Sequence, residues 1–373
     1  MAPVVYHPRY LDYWFGPQHP FSPLRQRMLI DLLETMGHAF DPVLPQPATR
    51  EEIRAIHSEA YVQQVEAAST GCPLPDASDY GLETMDVPTF QGMDTATRYL
   101  VGGTLHAARM VADGSARRVL QLGGGLHHAQ HALASGFCVY NDLSAAIRHF
   151  EGCGLRVAYI DVDVHHGDGV QWLHYSDPAL LNLSLHESGR YLFPGTGTIH
   201  EIGDGAGKGL KLNVPLEPGT SDDSYLEEFE RVVPHALAWF GPDVLLIQAG
   251  ADAHLQDPLA HLRLSTHAYE ALFRRLIQLS DAHTEGRAVF TLGGGYDFDA
   301  ATRVWALLYF LLQDEPLPGR LPQDWLDRWR DRLQTTLTPT LHDPEPTTSS
   351  GQVVAHNRQV TQRLLETVVP CWS

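Results

Sequence analysis

Apolar positions recur along this chain with two spacings, and each spacing predicts a different kind of element. The helical spacing opens at Ser22-Pro23, where Met28, Leu29, Leu32, Leu33 and Met36 make one stripe. Ser22 suits the N-cap, Pro23 the first helical position and Gly37 the end. Thr49 and Glu52 form a capping-box pattern that opens a second helix. Residues 95–112 read as a further helix, with Gly102-Gly103 permitting a close contact; 134–142 ends in another, and 353–368 closes the chain. Short apolar runs behave differently: RVLQL (118–122), VAYI (157–160), LNLSLHES (181–188), DVLLI (243–247) and AVFTL (288–292). Bounded by polar and glycine-rich segments, they predict strands buried in a parallel sheet. Residues 71–93 are rich in Pro, Asp and Gly and read as a surface loop, 190–209 as a glycine-rich loop, and 335–351 as a surface connector. No internal repeat occurs. The pattern predicts one α/β domain over residues 1–373.

The chemistry-bearing residues sit just past the ends of the strand runs. After VAYI the chain continues DVDVHHGDGV, with Asp161, Asp163 and His165 spaced two apart. While the backbone stays extended, that spacing puts three side chains on one face. A lone Asp here would be an ordinary cap or turn former. Five ionisable groups in eight residues (Asp161, Asp163, His165, His166, Asp168) at a core boundary are another matter. Buried without compensation they would cost several kcal/mol each, so they need a cation or one another. RVLQL runs into GGGLHHA, which delivers His127 and His128 side by side; Asp161 and Asp168 are carboxylates available to them. Asp252 lies just past DVLLI, and AVFTL enters GGGYD, placing Tyr296 on a glycine hinge. Ligands of open α/β sheets gather at the carboxyl ends of strands, and four such ends converge here. Asp163, His165 and Asp252 make a three-ligand O/N set that leaves room for water, the mark of a catalytic site. Zinc fits, and iron(II) also accepts carboxylate and imidazole. With His128 moving a proton and Tyr296 donating to a developing oxyanion, the set predicts metal-assisted hydrolysis of an amide or related bond.

Composition narrows the setting. The net charge of −19 disfavours direct nucleic-acid binding and permits basic substrates. Four scattered cysteines without CxxC spacing argue for a reducing cytoplasm and against a thiolate zinc site. No apolar run is long enough to span a bilayer, and MAPVVYHPRY lacks the regions of a signal peptide. A cytoplasmic enzyme without membrane partners is expected. The 190–209 loop lacks a Gly-Lys-Ser/Thr ending, so nucleotide binding by a phosphate loop is unsupported.

The segments GGGLHHA, ASGFCVYND, YIDVDVHHGDGV, SLHESGRYLFPGTG, QAGADAH and LGGGYD closely resemble the zinc-dependent histone deacetylase family, particularly bacterial acetoin-utilisation-type deacetylases. They run in order, in scattered blocks over roughly residues 5–315. The resemblance implies the arginase–deacetylase fold: a central, mostly parallel eight-stranded sheet with helices on both faces. It implies removal of acetyl groups from lysine ε-amines of proteins or peptides, an acetyl-CoA synthetase being one plausible substrate.

Carried over residue by residue, the resemblance implies zinc ligands Asp163, His165 and Asp252. His127 would pair with Asp161 and act mainly electrostatically, while His128, paired with Asp168, would be the main general base and acid. Tyr296 would polarise the acetyl carbonyl. Gly136, Phe137 and Phe193 would wall a narrow tunnel, with Leu259 near its rim, Asp86 anchoring the substrate backbone and Arg25 lining an internal channel. A potassium ion would use Asp161 and Ser184 side chains and the carbonyls of Asp163, His165 and Leu185; a second would use carbonyls near His174, Asp177, Leu180 and Leu210. Met85 stands before Asp86, where relatives often carry an aromatic rim residue. Three rival readings would each leave a mark. Manganese ureohydrolases need extra carboxylates where Gly167 and His254 stand. Acetylpolyamine deacetylases would share the chemistry and need acids at the mouth. A non-catalytic acyl-lysine binder would be expected to lack one member of the set.

Overall fold

In strand β3 (Val157–Asp161) the alternate side chains part to opposite faces. Val157 and Tyr159 join one apolar cluster, Ala158 and Ile160 the other. Val244/Leu246 against Leu245/Ile247 in β6 (Val244–Gln248) split in the same way. A strand apolar on both faces must be covered on both, which the period-2 geometry of an extended chain converts into a three-layer fold. The computed structural model describes residues 1–38, 41–71 and 76–372; Cys72 lies outside them.

The remaining strands are β1 (Val4–Val5), β2 (Arg118–Gln121), β4 (Leu180–Glu187), β5 (Lys211–Leu216) and β7 (Ala288–Thr291). The helices are α1 (Leu24–Thr35), α2 (Arg50–Arg54), α3 (Glu59–Ala68), α4 (Met93–Ala112), α5 (Asp142–Gly152), α6 (Asp168–Leu173), α7 (Asp222–Phe240), α8 (Thr266–Thr284), α9 (Phe298–Gln313), α10 (Gln323–Leu333) and α11 (Gly351–Val368). The sheet order is β1-β2-β7-β6-β3-β4-β5, and every pairing is parallel. All carboxyl ends therefore lie along one edge. From β3 the chain proceeds to β4 on one side, while β6 on its other side leads away to β7. The strand order reverses here, and a crevice opens at such a point.

The expected eight strands are seven among the described residues. Beyond β1 the sheet continues only as a single bridge, in which Val43 N donates to Val4 O (2.8 Å) and Tyr6 N donates to Val43 O (3.2 Å). Val43 stands between Pro42 and Pro45, which have no N–H to extend a ladder. The expected loop at 71–93 carries a short 3-10 helix, Ala77–Tyr80. Local signals otherwise act as the chain suggests. The Thr49–Glu52 capping box is complete, with N–H to side-chain distances of 3.2 and 2.7 Å. Helix α1 starts one residue later than expected, with Pro23 at the N-cap, and Ser22 Oγ accepts from Leu24 N at 3.3 Å. A Cβ on Gly102 would fall 2.0 Å from the Gln46 carbonyl oxygen, so that glycine is where α4 meets the 46–48 segment. No helix among the described residues is long and apolar enough to cross a membrane.

Candidate active site

The crevice beside β3 is floored by the carboxyl ends of β3 and β6. Asp163 and His165 follow β3, and Asp252 follows β6; one ligand atom from each lies within 4.8 Å of the others. His165 Nδ1 is 3.1 Å from Asp163 Oδ1 and 3.1 Å from Asp252 Oδ2. Every other oxygen of the two carboxylates is fixed. Asp163 Oδ2 accepts from Gln248 Nε2 (2.6 Å) and Gly294 N (2.7 Å), and Asp252 Oδ1 accepts from Val164 N (2.9 Å). All three residues are buried.

The electrostatics of this trio test whether it suits a cation. Burial raises Asp252 to about 7, and the neighbouring Asp163 carboxylate adds to the effect. Burial alone would depress His165, yet its hydrogen bonds to Asp163 and Asp252 and their charges push it up to about 10. Two buried carboxylates thus demand positive charge at one point. A divalent cation with O and N ligands meets that demand, so the donor set fits one.

The tandem histidines stand beside this group. His127 Nδ1 donates to Asp161 Oδ2 at 2.8 Å, and His128 Nδ1 donates to Asp168 Oδ1 at 2.7 Å. Asp161 Oδ2 also accepts from Tyr159 O–H (2.6 Å), and Asp168 Oδ2 accepts from Gln130 Nε2 (3.2 Å). The carboxylates hold each imidazole with Nδ1 protonated and Nε2 free for the site. The two rings are pushed in opposite directions. Burial opposes the charged form of both, but Asp161 and Asp163 push His127 up to about 9. Burial and the neighbouring His127 bring His128 down to about 4. Gly136 cannot be larger: its Cβ would lie 2.1 Å from the His128 ring.

Tyr296 reaches the same cavity from the loop after β7. Its ring centroid is 5.7 Å from Phe137 and 6.4 Å from His165. Burial, with Asp252 and Asp163 adding, holds its phenol well above its ordinary range, so it stays a donor. Phe193, 44% exposed, packs its ring 5.0 Å from His128. Phe193 therefore packs against His128 and Phe137 against Tyr296. A cavity of ≈20 Å³, room for about one water, is lined by His127, His128, Phe137, Asp163 and Tyr296 among others. Asp86 Oδ2 accepts from Gly136 N (2.7 Å), and Met85 beside it is 95% exposed. Leu259 is half-buried on the loop after β6, its amide donating to Asp257 (2.9 Å).

Some placements add to what the sequence expressed. Arg25 is buried at Tyr296, stacked 4.5 Å over Phe21, and its Nη1 donates to Gly293 O (3.2 Å) and Gly295 O (2.7 Å). It holds the glycine hinge in place and is not among the cavity-lining residues. Gln248 and Asp257 escaped the sequence reading. Gln248 is the polar residue ending the apolar β6 run, a signal that could have marked it. Asp257 accepts from Tyr296 N at 2.7 Å and so fixes the backbone of that residue. Asp161 and Ser184 are register partners in β3 and β4, with Leu185 next along, and Ser184 Oγ lies 2.8 Å from His186 Nδ1. At the second expected potassium position, the carbonyls of Asp177 and Leu180 both accept from Lys211 Nζ, at 3.2 and 2.8 Å. Lys211 is wholly buried, and its ammonium already supplies a cation there. A second O/N/O group, Glu151–His174–Asp177, is bridged by Arg148 Nη1, 2.9 Å from Glu151 and 3.4 Å from Asp177. His254 turns away from the crevice to Asp343 Oδ2 (2.9 Å).

Comparison with known proteins bears on the family and the fold. The family described as "Histone deacetylase domain" matches residues 19–311. The chain is 40% identical over 371 residues to acetoin utilization protein AcuC of Bacillus subtilis (strain 168), covering 97% of this chain and 96% of that one. It is 38% identical over 332 residues to acetoin utilization protein AcuC of Staphylococcus aureus (strain MRSA252), covering 87% and 85%. Among solved structures, it superimposes on an HDAC homolog complexed with SAHA with a TM-score of 0.88 at 27% identity, over 97% of this chain and 99% of that one. An HDAC homolog from Aquifex aeolicus gives a TM-score of 0.85 at 27% identity, over 96% and 99%.

Proposed function

The chain belongs to the histone deacetylase family, and from that membership and the site's geometry we propose a zinc-dependent hydrolase that removes acetyl groups from lysine ε-amines of proteins or peptides. The observation that carries this reading is the meeting of two His–Asp pairs, a tyrosine and an Asp–His–Asp trio at one crevice.

Asp163, His165 and Asp252 would hold the cation; iron(II) is the other metal this donor set accepts. Bound there, it would polarise the amide carbonyl and make water a nucleophile near neutral pH. The chain's own residues do the rest. His128, kept neutral by burial, takes a proton from the attacking water and returns it to the departing amine. Asp168 sets its tautomer. His127, charged through Asp161, favours the negative charge that develops nearby. Tyr296 donates to the oxygen as it becomes an oxyanion, and Asp257 and Arg25 fix the hinge that aims it. Phe137 and Phe193 flank the apolar stem of the acyl-lysine, with Gly136 giving the His128 ring room and Leu259 at the rim. Asp86 has one oxygen on Gly136 N, leaving Oδ1 for a substrate backbone amide. Asp161 and Ser184, with the carbonyls of Asp163, His165 and Leu185, would hold potassium beneath the site.

The alternative substrate, an acetylpolyamine, calls for free acids at the mouth. Our reading of the substrate is a peptide or protein, with Asp86 Oδ1 open to its backbone amide, in a reducing cytoplasm. The test is turnover of an acetyl-lysine peptide beside an acetylpolyamine, with zinc-loaded wild type, Tyr296→Phe and a chelator control. Peptide turnover should vanish with chelation and fall about 100-fold or more in Tyr296→Phe. Preference for the polyamine would displace the substrate assignment, and no turnover of either by metal-loaded protein would defeat the enzyme reading.

A further inference from the structure

A cleft of ≈270 Å³ opens between the 188–200 loop and helix α11, apart from the catalytic residues. Arg190, His200, His356 and Arg363 line it, with Ile199 and Val360 among the apolar wall, and no lining residue carries a carboxylate. Among the described residues, neither arginine forms an ion pair; two carboxylates border the cleft, Glu217 at 3.3 Å from His356 Nε2 and Glu201 on the amides of Gly197 and Thr198. In a chain of net charge −19, two guanidiniums facing one cavity without acidic partners run against the background field.

The cleft is also a built site, because its floor is pinned from beneath. Gly197 N and Thr198 N both donate to the Glu201 carboxylate, at 3.0 Å each to its nearer oxygen. His186 Nε2 donates to Gly197 O (3.0 Å), and His166 Nδ1 lies 2.8 Å from Thr196 Oγ1. Glu201 is held in turn by Gln171 Nε2 at 2.7 Å. The loop is thus pinned at residues 196–198, which hold one wall of the cleft in place.

We propose that this cleft binds a small phosphorylated ligand. Arginine forks match phosphate oxygens bidentately, imidazoles add donors, and the Ile199–Val360 wall suits an organic portion. The same loop carries Phe193, so occupancy would steady the segment that flanks the catalytic histidines.

Pyrophosphate is the probe for a first test, titrated calorimetrically into the full-length protein, with hydrogen exchange read on the loop. Wild type should bind it and gain protection over residues 189–200. Arg190→Glu and Arg363→Glu, both at exposed positions, should each bind at least tenfold more weakly while keeping the wild-type unfolding temperature. Equal binding by both variants, or no binding at millimolar pyrophosphate, would overturn the proposal. Malonate bound as tightly as pyrophosphate would overturn the phosphate assignment.

Discussion

Glu151 shows how one buried carboxyl answers to its neighbours. Burial, with Asp177 beside it, raises it from an ordinary 4.5 to about 7. Folding therefore binds its proton more tightly. The stability it contributes is complete below about pH 4.5 and is lost as pH rises through 7. Glutamine keeps the shape and never ionises. The opposing loss is the half-exposed Arg148 contact, worth at most about 1 kcal/mol, against roughly 1–2 kcal/mol for the shift once solvent screening discounts it. Glu151→Gln should thus gain on wild type between pH 5 and pH 8, by several degrees in paired thermal melts; a pH-independent difference would refute this account. The same scale explains which residues the sequence exposed. His127, His128, Asp163 and Tyr296 stand out because ionisable or donor groups beside glycines at strand ends are rare. Lys211 did not, since nothing local says that its ammonium turns inward to two carbonyls of another segment.

At the scale of elements, the loops after the strands do the work, and their tolerances are narrow. A Cβ on Gly294, after β7, would lie 1.9 Å from Asp252 Oδ2 and 2.9 Å from Asp163 Oδ2, while its N–H holds Asp163. Gly294→Ala should therefore leave the sheet intact and displace both carboxylates. Zinc affinity should drop about 10- to 100-fold, measured against a competing chelator, with the metal-free melting temperature nearly unchanged; full affinity would show that the carboxylates can yield. The strand runs beginning at 118, 157, 181, 243 and 288 were legible because apolar runs without helical period have few alternatives. Strand β1 was too short, at two residues, to be seen. Strand β5 alternates Leu212, Val214 and Leu216 with Lys211, Asn213 and Pro215, but the proline, which cannot donate to a ladder, masks that period-2 signal.

Across the whole molecule, the 335–351 segment reaches far from where its composition suggests. Asp343 Oδ2 accepts from His254 Nε2 (2.9 Å) and Thr266 N (2.8 Å), and Asp343 Oδ1 accepts from the buried Arg303 (2.8 Å). Thr347 N donates to Asp222 at 3.0 Å. The connector thus ties α7, α8 and α9 together near the loop that bears Asp252, which supports reading the chain as one domain. Asp343→Ala would leave the buried Arg303 with Asp299 as its one remaining ion-pair partner and Gln256 as a neutral acceptor. It should cost about 3 kcal/mol, seen in denaturant melts as an earlier single transition; two separate transitions would speak against one domain.

The sequence by itself determined the layered α/β class, the family and the residues of the crevice. Those rest on local facts: apolar period, glycine hinges, and ionisable groups packed where a strand ends. The tertiary structure decided what depends on distant segments meeting. It cut the sheet to seven strands because prolines stop the ladder at Val43. It set His127 and His128 apart electrostatically, raising one through Asp161 and Asp163 and lowering the other through burial. It filled a cation position with Lys211, and it turned a connector into a brace. In each case the deciding term is a charge or hydrogen bond between residues far apart in the chain, which no local pattern encodes.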